Sequence, residues 1–327
     1  MIKLKRPRRP CKAMVIAPSA PGGEMSQMAF DRARLCLRSL GIEMEPAPNL
    51  FASSGELALP HQLRLRDIRM ALEDDEIDML IALYGGYNAI DLLPELPYDV
   101  WRERRKPLVG LSDVTALHLA LWTRIRLPGL HGPNLSNFAA PQVSDYTLKQ
   151  LEHALFAPVC QVPVAEQVAE DRWYKPNAEL RRCWKPHAWD CHRPGQAEGV
   201  LLGGNLSTML ALAGTPYFPD LSGAILFLES NTGVSIREID RDLAHLALMG
   251  VFKGVSGVIF GAMGQKNEPL VGQLVGKHLT DVHCPILGGV TSSHVDPVAT
   301  LALGARLRLD AEAGTLSYLS PFGDERP

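Results

Sequence analysis

The stretch KPLVGLSDVTALHLALWTR, residues 106–124, holds the reading that decides the fold. Lys106–Gly110 is short and apolar, as a buried strand is. Asp113–Arg124 has the spacing of an amphipathic helix. Ser112 falls on the turn between them. Strand–turn–helix geometry lifts a side chain out of a sheet and aims the free N–H groups of the helix at whatever binds there. A hydroxyl at that point can act as a nucleophile with an anion stabiliser beside it. It can equally be a plain N-cap, a position that serine and aspartate favour.

Outward from this junction the same alternation repeats. Ala13–Ala17 reads as a strand, Met25–Leu40 as a helix ending at Gly41, and Gln62–Glu73 as a second helix. Ile77–Tyr84 (IDMLIALY) is almost continuously apolar, as a strand covered on both faces should be, and runs into Gly85-Gly86-Tyr87-Asn88. A short strand at Gly129–His131 and a helix over Ser144–Phe156 follow. Strands alternating with helices imply a parallel sheet with helices on both faces, here a flavodoxin-like α/β domain over residues 1–157.

Between 158 and 197 the pattern breaks. Pro158, Pro163, Pro176, Pro186 and Pro194 punctuate a polar stretch that carries Trp173, Trp184 and Trp189, which reads as a linker with a long loop. From 198 to 327 a smaller α/β domain is expected. Its helices are Leu206–Ala213, Ile236–Met249 and Leu270–Leu279, its strands Ala224–Leu228 and Val255–Ala262, with a terminal strand over Thr300–Leu309.

Composition narrows the function. The chain has 327 residues and a formal net charge of −3, which gives no general attraction to nucleic acid or anionic membrane. Six Lys and Arg between Lys3 and Lys12 make a basic N-terminus, expected to be a mobile solvated tail. No apolar run is long enough to cross a bilayer, and Ala13–Ala17 is too short for a signal-peptide core, so a cytoplasmic location is expected. Cysteines 11, 36, 160, 183, 191 and 284 are scattered, as free thiols are. Cys183, His187, Cys191 and His192 are zinc-compatible types at non-standard spacing, weighed against a plain polar loop.

Ligands of open α/β sheets sit beyond the carboxyl ends of the strands. Gly85-Gly86, Ser112 and Glu229 fall at such ends, and His294 lies in the loop Thr291–Pro297. A serine needs an imidazole to take its proton, and the imidazole needs a carboxylate to fix its tautomer. Ser112, His294 and Glu229 would fill those roles, with the N–H groups of Gly86 and Asp113 as oxyanion hole. Each piece has a bland alternative: a cap, a loop histidine, a strand-end charge, a simple turn. The stretch is not the hydrolase elbow G-x-S-x-G, since Val114 stands where the second glycine belongs. Two rivals are a non-catalytic nucleotide- or sugar-binding protein and a phosphotransferase using Gly85-Gly86 as a phosphate loop.

The chain resembles the L,D-carboxypeptidase family of serine peptidases, which includes muropeptide L,D-carboxypeptidases and microcin C immunity peptidases. The resemblance rests on Ala17-Pro18-Ser19, Gly85-Gly86-Tyr87, Leu93-Pro94 with Tyr98-Asp99, and Gly110–Leu117. It continues through His131-Gly132-Pro133, Gly203-Gly204-Asn205-Leu206, Leu226–Glu229, Ile239-Asp240-Arg241 and His294. It implies that Ser112 is the nucleophile, Glu229 the acid and His294 the base. It also implies no cofactor or metal, a homodimer, and an active site in the cleft between the domains. The substrate implied is a small peptide, a murein tetrapeptide, or a microcin-like peptidyl nucleotide. Tyr84-Gly85-Gly86-Tyr87-Asn88 is nearer the microcin-immunity branch, in which an aromatic residue of the long loop stacks on a nucleobase. Trp173, Trp184 and Trp189 are candidates for that contact, or else anchors of the loop. Gly85, Tyr87 and Arg237, with Arg241 nearby, complete the expected substrate-binding set.

Overall fold

The computed structural model describes residues 2–52, 58–157, 161–170, 182–280 and 282–324. Its first half alternates β1 (Cys11–Ile16), α1 (Gln27–Ser39), β2 (Ile42–Pro46), α2 (His61–Glu73) and β3 (Met79–Ala82). It continues with α3 (Tyr98–Arg104), β4 (Leu108–Gly110), α4 (Thr115–Ile125) and β5 (Gly129–His131), and ends on α5 (Leu135–Phe138) and α6 (Asp145–Phe156). The five strands pair in parallel in the order β2-β1-β3-β4-β5, the flavodoxin-like arrangement expected. Every residue of β3 is buried, which accounts for its unbroken apolar run. Helix α1 begins at Gln27 because the Ser26 hydroxyl accepts the N–H of Ala29 at 3.2 Å.

The remainder carries β6 (Gln161–Val162), β7 (Gln167–Val168), β8 (Lys185–Pro186), β9 (Asp190–Arg193) and β10 (Gln196–Asn205). Next come α7 (Leu206–Ala211), β11 (Ile225–Glu229), α8 (Ile236–Leu248), α9 (Val251–Gly254), β12 (Gly257–Gly261) and α10 (Val271–His278). The last elements are β13 (Ile286–Val290), β14 (Leu301–Leu303), β15 (Arg306–Asp310) and β16 (Thr315–Tyr318). Eight of these strands form a second sheet in the order β6-β16-β15-β10-β11-β12-β13-β9, parallel from β10 to β13 and antiparallel at the flanks. The fold is therefore two α/β domains, the first built on a parallel sheet.

Three sequence expectations change. The single strand over Thr300–Leu309 is two strands. Gly304, at φ +92°, turns the chain, so β14 pairs antiparallel with β5 on the edge of the first sheet while β15 joins the second. The proline-punctuated stretch is not only a loop, for β6 and β9 form the two edges of the second sheet, where missing N–H donors are tolerated. The basic N-terminus is tied down. Leu4 is buried, its N–H meets the Phe322 carbonyl at 3.0 Å, and Lys5 N–H meets the Arg105 carbonyl at 2.9 Å.

Tyr318 locks the crossover, because its buried hydroxyl accepts the N–H of Ala302 on β14 at 2.8 Å. Tyr318→Phe leaves that edge N–H without an acceptor. It should lower unfolding free energy by about 1–3 kcal/mol in urea titration, with an unchanged fold by circular dichroism.

Candidate active site

Ser112 follows β4 after a single residue, Leu111. Before α4 proper the chain makes a single 3-10 turn, Ser112–Val114, which the sequence pattern merged into the helix. Ser112 itself sits at φ +66°, a left-handed conformation that is uncommon for a residue with a Cβ and costs about 1–3 kcal/mol. Its side chain caps neither the turn nor α4, so the bland N-cap reading finds no hydrogen bond to support it.

The glycine turn packs on this serine. A Cβ on Gly85 would lie 2.6 Å from the Ser112 Cβ and 2.8 Å from its Oγ, and 3.4 Å from the Asp113 nitrogen. Only glycine allows that approach. Gly86 adopts φ +150°, and a Cβ there would collide with the Ser19 hydroxyl. Two peptide groups expected to serve an anion, those of Gly86 and Asp113, thus belong to one packed cluster.

Glu229 ends β11 with no exposed surface. Its Oε2 meets His294 Nδ1 at 2.7 Å, and its Oε1 accepts the Asn205 side-chain amide at 3.0 Å. Asn205 is the residue of β10 in register with Glu229. Its Oδ1 accepts the Thr208 N–H at 3.2 Å and caps α7, which fixes which end of the amide faces the carboxylate. Its backbone N–H reaches the Thr115 hydroxyl at 3.0 Å, three residues beyond Ser112, and so joins the two domains at the site. The His294 loop is held from beneath by Ser293 Oγ on the Ala262 carbonyl at 2.8 Å and Ser292 Oγ on the Ala299 carbonyl at 3.0 Å.

Electrostatics follow from burial and pairing. Burial pushes the Glu229 carboxyl up, yet His294, His131 and the Asn205 amide together hold it below the ordinary carboxylate value. Burial pushes His294 down, and the Glu229 charge and hydrogen bond overcome that and raise it above 6.5. His131 on β5 is fully buried with its ring edge on Phe227, centroids 5.2 Å apart. Desolvation drops it to about 4 in spite of Glu229, so it is neutral near pH 7. The pair therefore carries one carboxylate, one imidazole and, at neutral pH, an uncharged neighbour. Among the described residues no hydrogen bond joins Ser112 Oγ to His294; the link between them runs through Thr115, Asn205 and Glu229.

The remaining expected residues are distributed unevenly. Tyr87 is 91% exposed at the tip of the glycine turn. Trp184 is half-buried under the Arg182 guanidinium, 5.1 Å from its ring centroid, and Arg182 bonds Asp296, two residues beyond His294. Trp184 is thus adjacent to the His294 loop. Trp189 packs on the core next to β9 with its indole N–H enclosed, as a loop anchor would. Trp173 lies outside the described residues. Arg237 is exposed in the first turn of α8, with no contact to Ser112, Glu229 or His294 among the described residues, and Arg241 pairs with Asp242 at 3.4 Å. Among the described residues no group of three or more His, Cys, Asp or Glu is arranged to hold a metal ion, Cys183, His187, Cys191 and His192 included; His187 bonds the Gly289 carbonyl at 2.6 Å and His192 packs on Gly288. Cysteines 11, 36, 191 and 284 are free, and Cys160 lies outside the described residues.

Sequence reading passed over Asn205, Thr115 and His131 as individual contributors. All three stand in the quoted motifs, but a strand-end amide, a helix threonine and a strand histidine acquire meaning only when two sheets meet. Ser19, Arg64 and the Asp113 carboxylate were missed because their partners, all within the first domain, are distant in the chain.

Comparisons with known proteins agree with this architecture. The model of the LD-carboxypeptidase N-terminal domain matches residues 14–132, and that of the LD-carboxypeptidase C-terminal domain matches residues 198–309. Together these span more than half of the chain, and they define its class as a serine carboxypeptidase-type hydrolase. The chain belongs to the LD-carboxypeptidase family. It is 27% identical to a probable murein peptide carboxypeptidase of Bacillus subtilis (strain 168), over 92% of this chain and 89% of that protein. It is 28% identical to the microcin C7 self-immunity protein MccF of Escherichia coli, over 79% of this chain and 78% of that one. The crystal structure of an MccF-like protein from Bacillus anthracis superimposes with a TM-score of 0.92 at 27% identity, covering 97% of this chain and 99% of the other. No helix among the described residues is long and apolar enough to cross a membrane.

The coupling of His294 to Glu229 is directly measurable. NMR titration should place the His294 imidazole above 6.5 in the intact protein. Glu229→Gln removes the opposing charge and should bring that value down, since burial then acts alone. An unmoved titration would show that the carboxylate does not set the protonation of His294.

Proposed function

We propose that the chain cleaves an amide bond at an L-to-D junction of a small peptide such as a murein tetrapeptide, through Ser112, His294 and Glu229. The observation that carries this reading is the buried 2.7 Å contact between His294 Nδ1 and Glu229 Oε2. It orients the ring so that Nδ1–H faces the carboxylate and Nε2 is left to take a proton. His294 Nε2 takes the Ser112 hydroxyl proton as Oγ attacks the scissile carbonyl. The resulting oxyanion is received by the Gly86 and Asp113 N–H groups. The imidazolium, stabilised by Glu229, then gives its proton to the leaving amine of the C-terminal residue. Water, activated by the same imidazole, releases the acyl group from Ser112. No step requires a metal ion or cofactor, so chelators should leave turnover unchanged.

A second substrate class is favoured by one observation: half-buried Trp184 is attached through Arg182 to the His294 loop. An aromatic face beside the reacting centre suits a nucleobase, whose stacking contributes about 1–3 kcal/mol. A peptidyl or aminoacyl nucleotide of the microcin type is the corresponding substrate. Turnover of a murein tetrapeptide and of such a nucleotide, measured side by side, decides between them. The reading further takes the protein to be cytoplasmic and a homodimer, the latter checked by sedimentation.

Ser112→Ala should lower kcat by several orders of magnitude while the melting temperature stays close to that of the parent, because alanine keeps the Cβ and with it the same backbone strain. Wild-type activity in that variant would remove the mechanism. The pH dependence has a definite sign. The raised His294 value keeps the imidazole protonated to higher pH, so the base becomes available only above it. The acidic limb of kcat/KM should accordingly lie above 6.5 and move down in Glu229→Gln.

A further inference from the structure

Beneath the glycine turn three polar side chains are buried away from the Ser112, His294 and Glu229 group. Ser19, Arg64 and Asp113 expose 1%, 3% and 4% of their surface. They come from the loop after β1, from α2 and from the turn after β4, and they bond to one another's side chains or to the backbone of neighbouring residues. The Ser19 hydroxyl donates to Asp113 Oδ2 in a very short hydrogen bond. The same Oδ2 accepts the Ala89 N–H at 2.8 Å, and Ser19 Oγ accepts the Asn88 N–H at 3.4 Å. Arg64 Nη1 donates to the carbonyls of Pro18 at 2.9 Å and Asn88 at 2.8 Å, while Nε donates to Leu59 at 2.8 Å and Nη2 pairs with Asp91 at 3.2 Å. Ala20 N–H closes the arrangement on the Gly85 carbonyl at 3.1 Å.

The Ser19–Asp113, Asp113–Ala89, Ser19–Asn88 and Ala20–Gly85 bonds each tie two of three strand-end loops together, those of Ser19, Gly85-Gly86 and Ser112, and Arg64 holds the first two of these loops from α2 through the Pro18 and Asn88 carbonyls. We propose that Ser19, Arg64 and Asp113 are positioning residues: a buried clamp that fixes the Gly86 peptide relative to the Asp113 peptide and so sets the geometry of the oxyanion hole. This rests on the reading of those two N–H groups as the anion donors. Asp113 is the hinge of the argument, because it supplies one donor from its backbone and holds the loop of the other with its carboxylate. Gly86 leaves no room between itself and Ser19, so movement of Ser19 is movement of the turn. The two bonds on the Asp113 carboxylate also follow directly on the strained φ of Ser112 and help to hold it there. Donors that stabilise an oxyanion act only when held within a narrow distance of where that charge develops.

Both bonds to Asp113 end on one oxygen, which makes a sharp distinction available. Asp113→Asn keeps an acceptor oxygen and should retain kcat within about threefold, whereas Asp113→Ala and Ser19→Ala should each lose about 10- to 100-fold in kcat. KM should stay within about twofold. The affinity of a peptidyl boronic acid, whose adduct on Ser112 places a negative oxygen in the hole, should fall by the same factor as kcat. Substrate affinity measured in a Ser112→Ala background should be unchanged by the added Ser19→Ala. The clamp is refuted by normal kcat and boronate affinity in Ser19→Ala and Asp113→Ala. It is equally refuted by an Asn variant as impaired as the Ala variant, or by equal loss of substrate and boronate binding. These outcomes are separate from failure of the functional reading, which would show as an active Ser112→Ala protein or as a wild-type enzyme that forms no boronate adduct.

Discussion

Glu229 is a fully buried carboxylate, and strands and loops of both domains are tied together in satisfying it. Leaving a buried charge unpaired costs about 3–5 kcal/mol, a large fraction of a domain's net stability. Here each oxygen has a partner, one from β10 and one from the loop after β13. Those partners arrive only if β10, β11, β12 and β13 stand in parallel register, as the Asn205–Glu229 pairing requires. The contest between desolvation and pairing is won by pairing, since the carboxyl is held below its ordinary value. Asn205 then passes the constraint on to the other domain through Thr115, on the helix that Ser112 precedes.

A different kind of constraint operates at Ser112. Its backbone is held in a sparsely populated conformation, and what holds it is the packing of neighbouring loops rather than any propensity of the residue. The glycine turn above it is crowded to the point where neither glycine tolerates a side chain. One centre is fixed by charge, the other by steric enclosure.

Much of this was legible before any coordinates. The run IDMLIALY could only be a two-sided strand, and KPLVG followed by the helix through Trp122 placed Ser112 at a strand end. Glu229 and His294 were legible as residue types at the right ends of elements, and the family motifs joined them. What stayed hidden has a common physical origin. The left-handed φ of Ser112 leaves no mark on local pattern. Asn205, Thr115, Ser19 and Arg64 work through partners distant in the chain. The division of residues 301–309 into two strands did leave a mark, Gly304 inside an apolar alternation, and a glycine there is the usual sign of a break. The tryptophans illustrate the opposite case: conspicuous in composition, yet Trp189 turns out to pack against the core while Trp184 reaches toward the His294 loop.

The strand Leu301–Leu303, paired beside His131 on the far side of the chain, has a consequence for the order of events during synthesis. The leading sheet keeps an open edge until Leu301–Leu303 has left the ribosome, and contacts of that sequence separation form late. The same stretch brings in His294, the partner of Glu229, only seven residues earlier. On the proposed mechanism, a nascent chain that holds Ser112 but lacks this stretch has neither its base nor its edge strand.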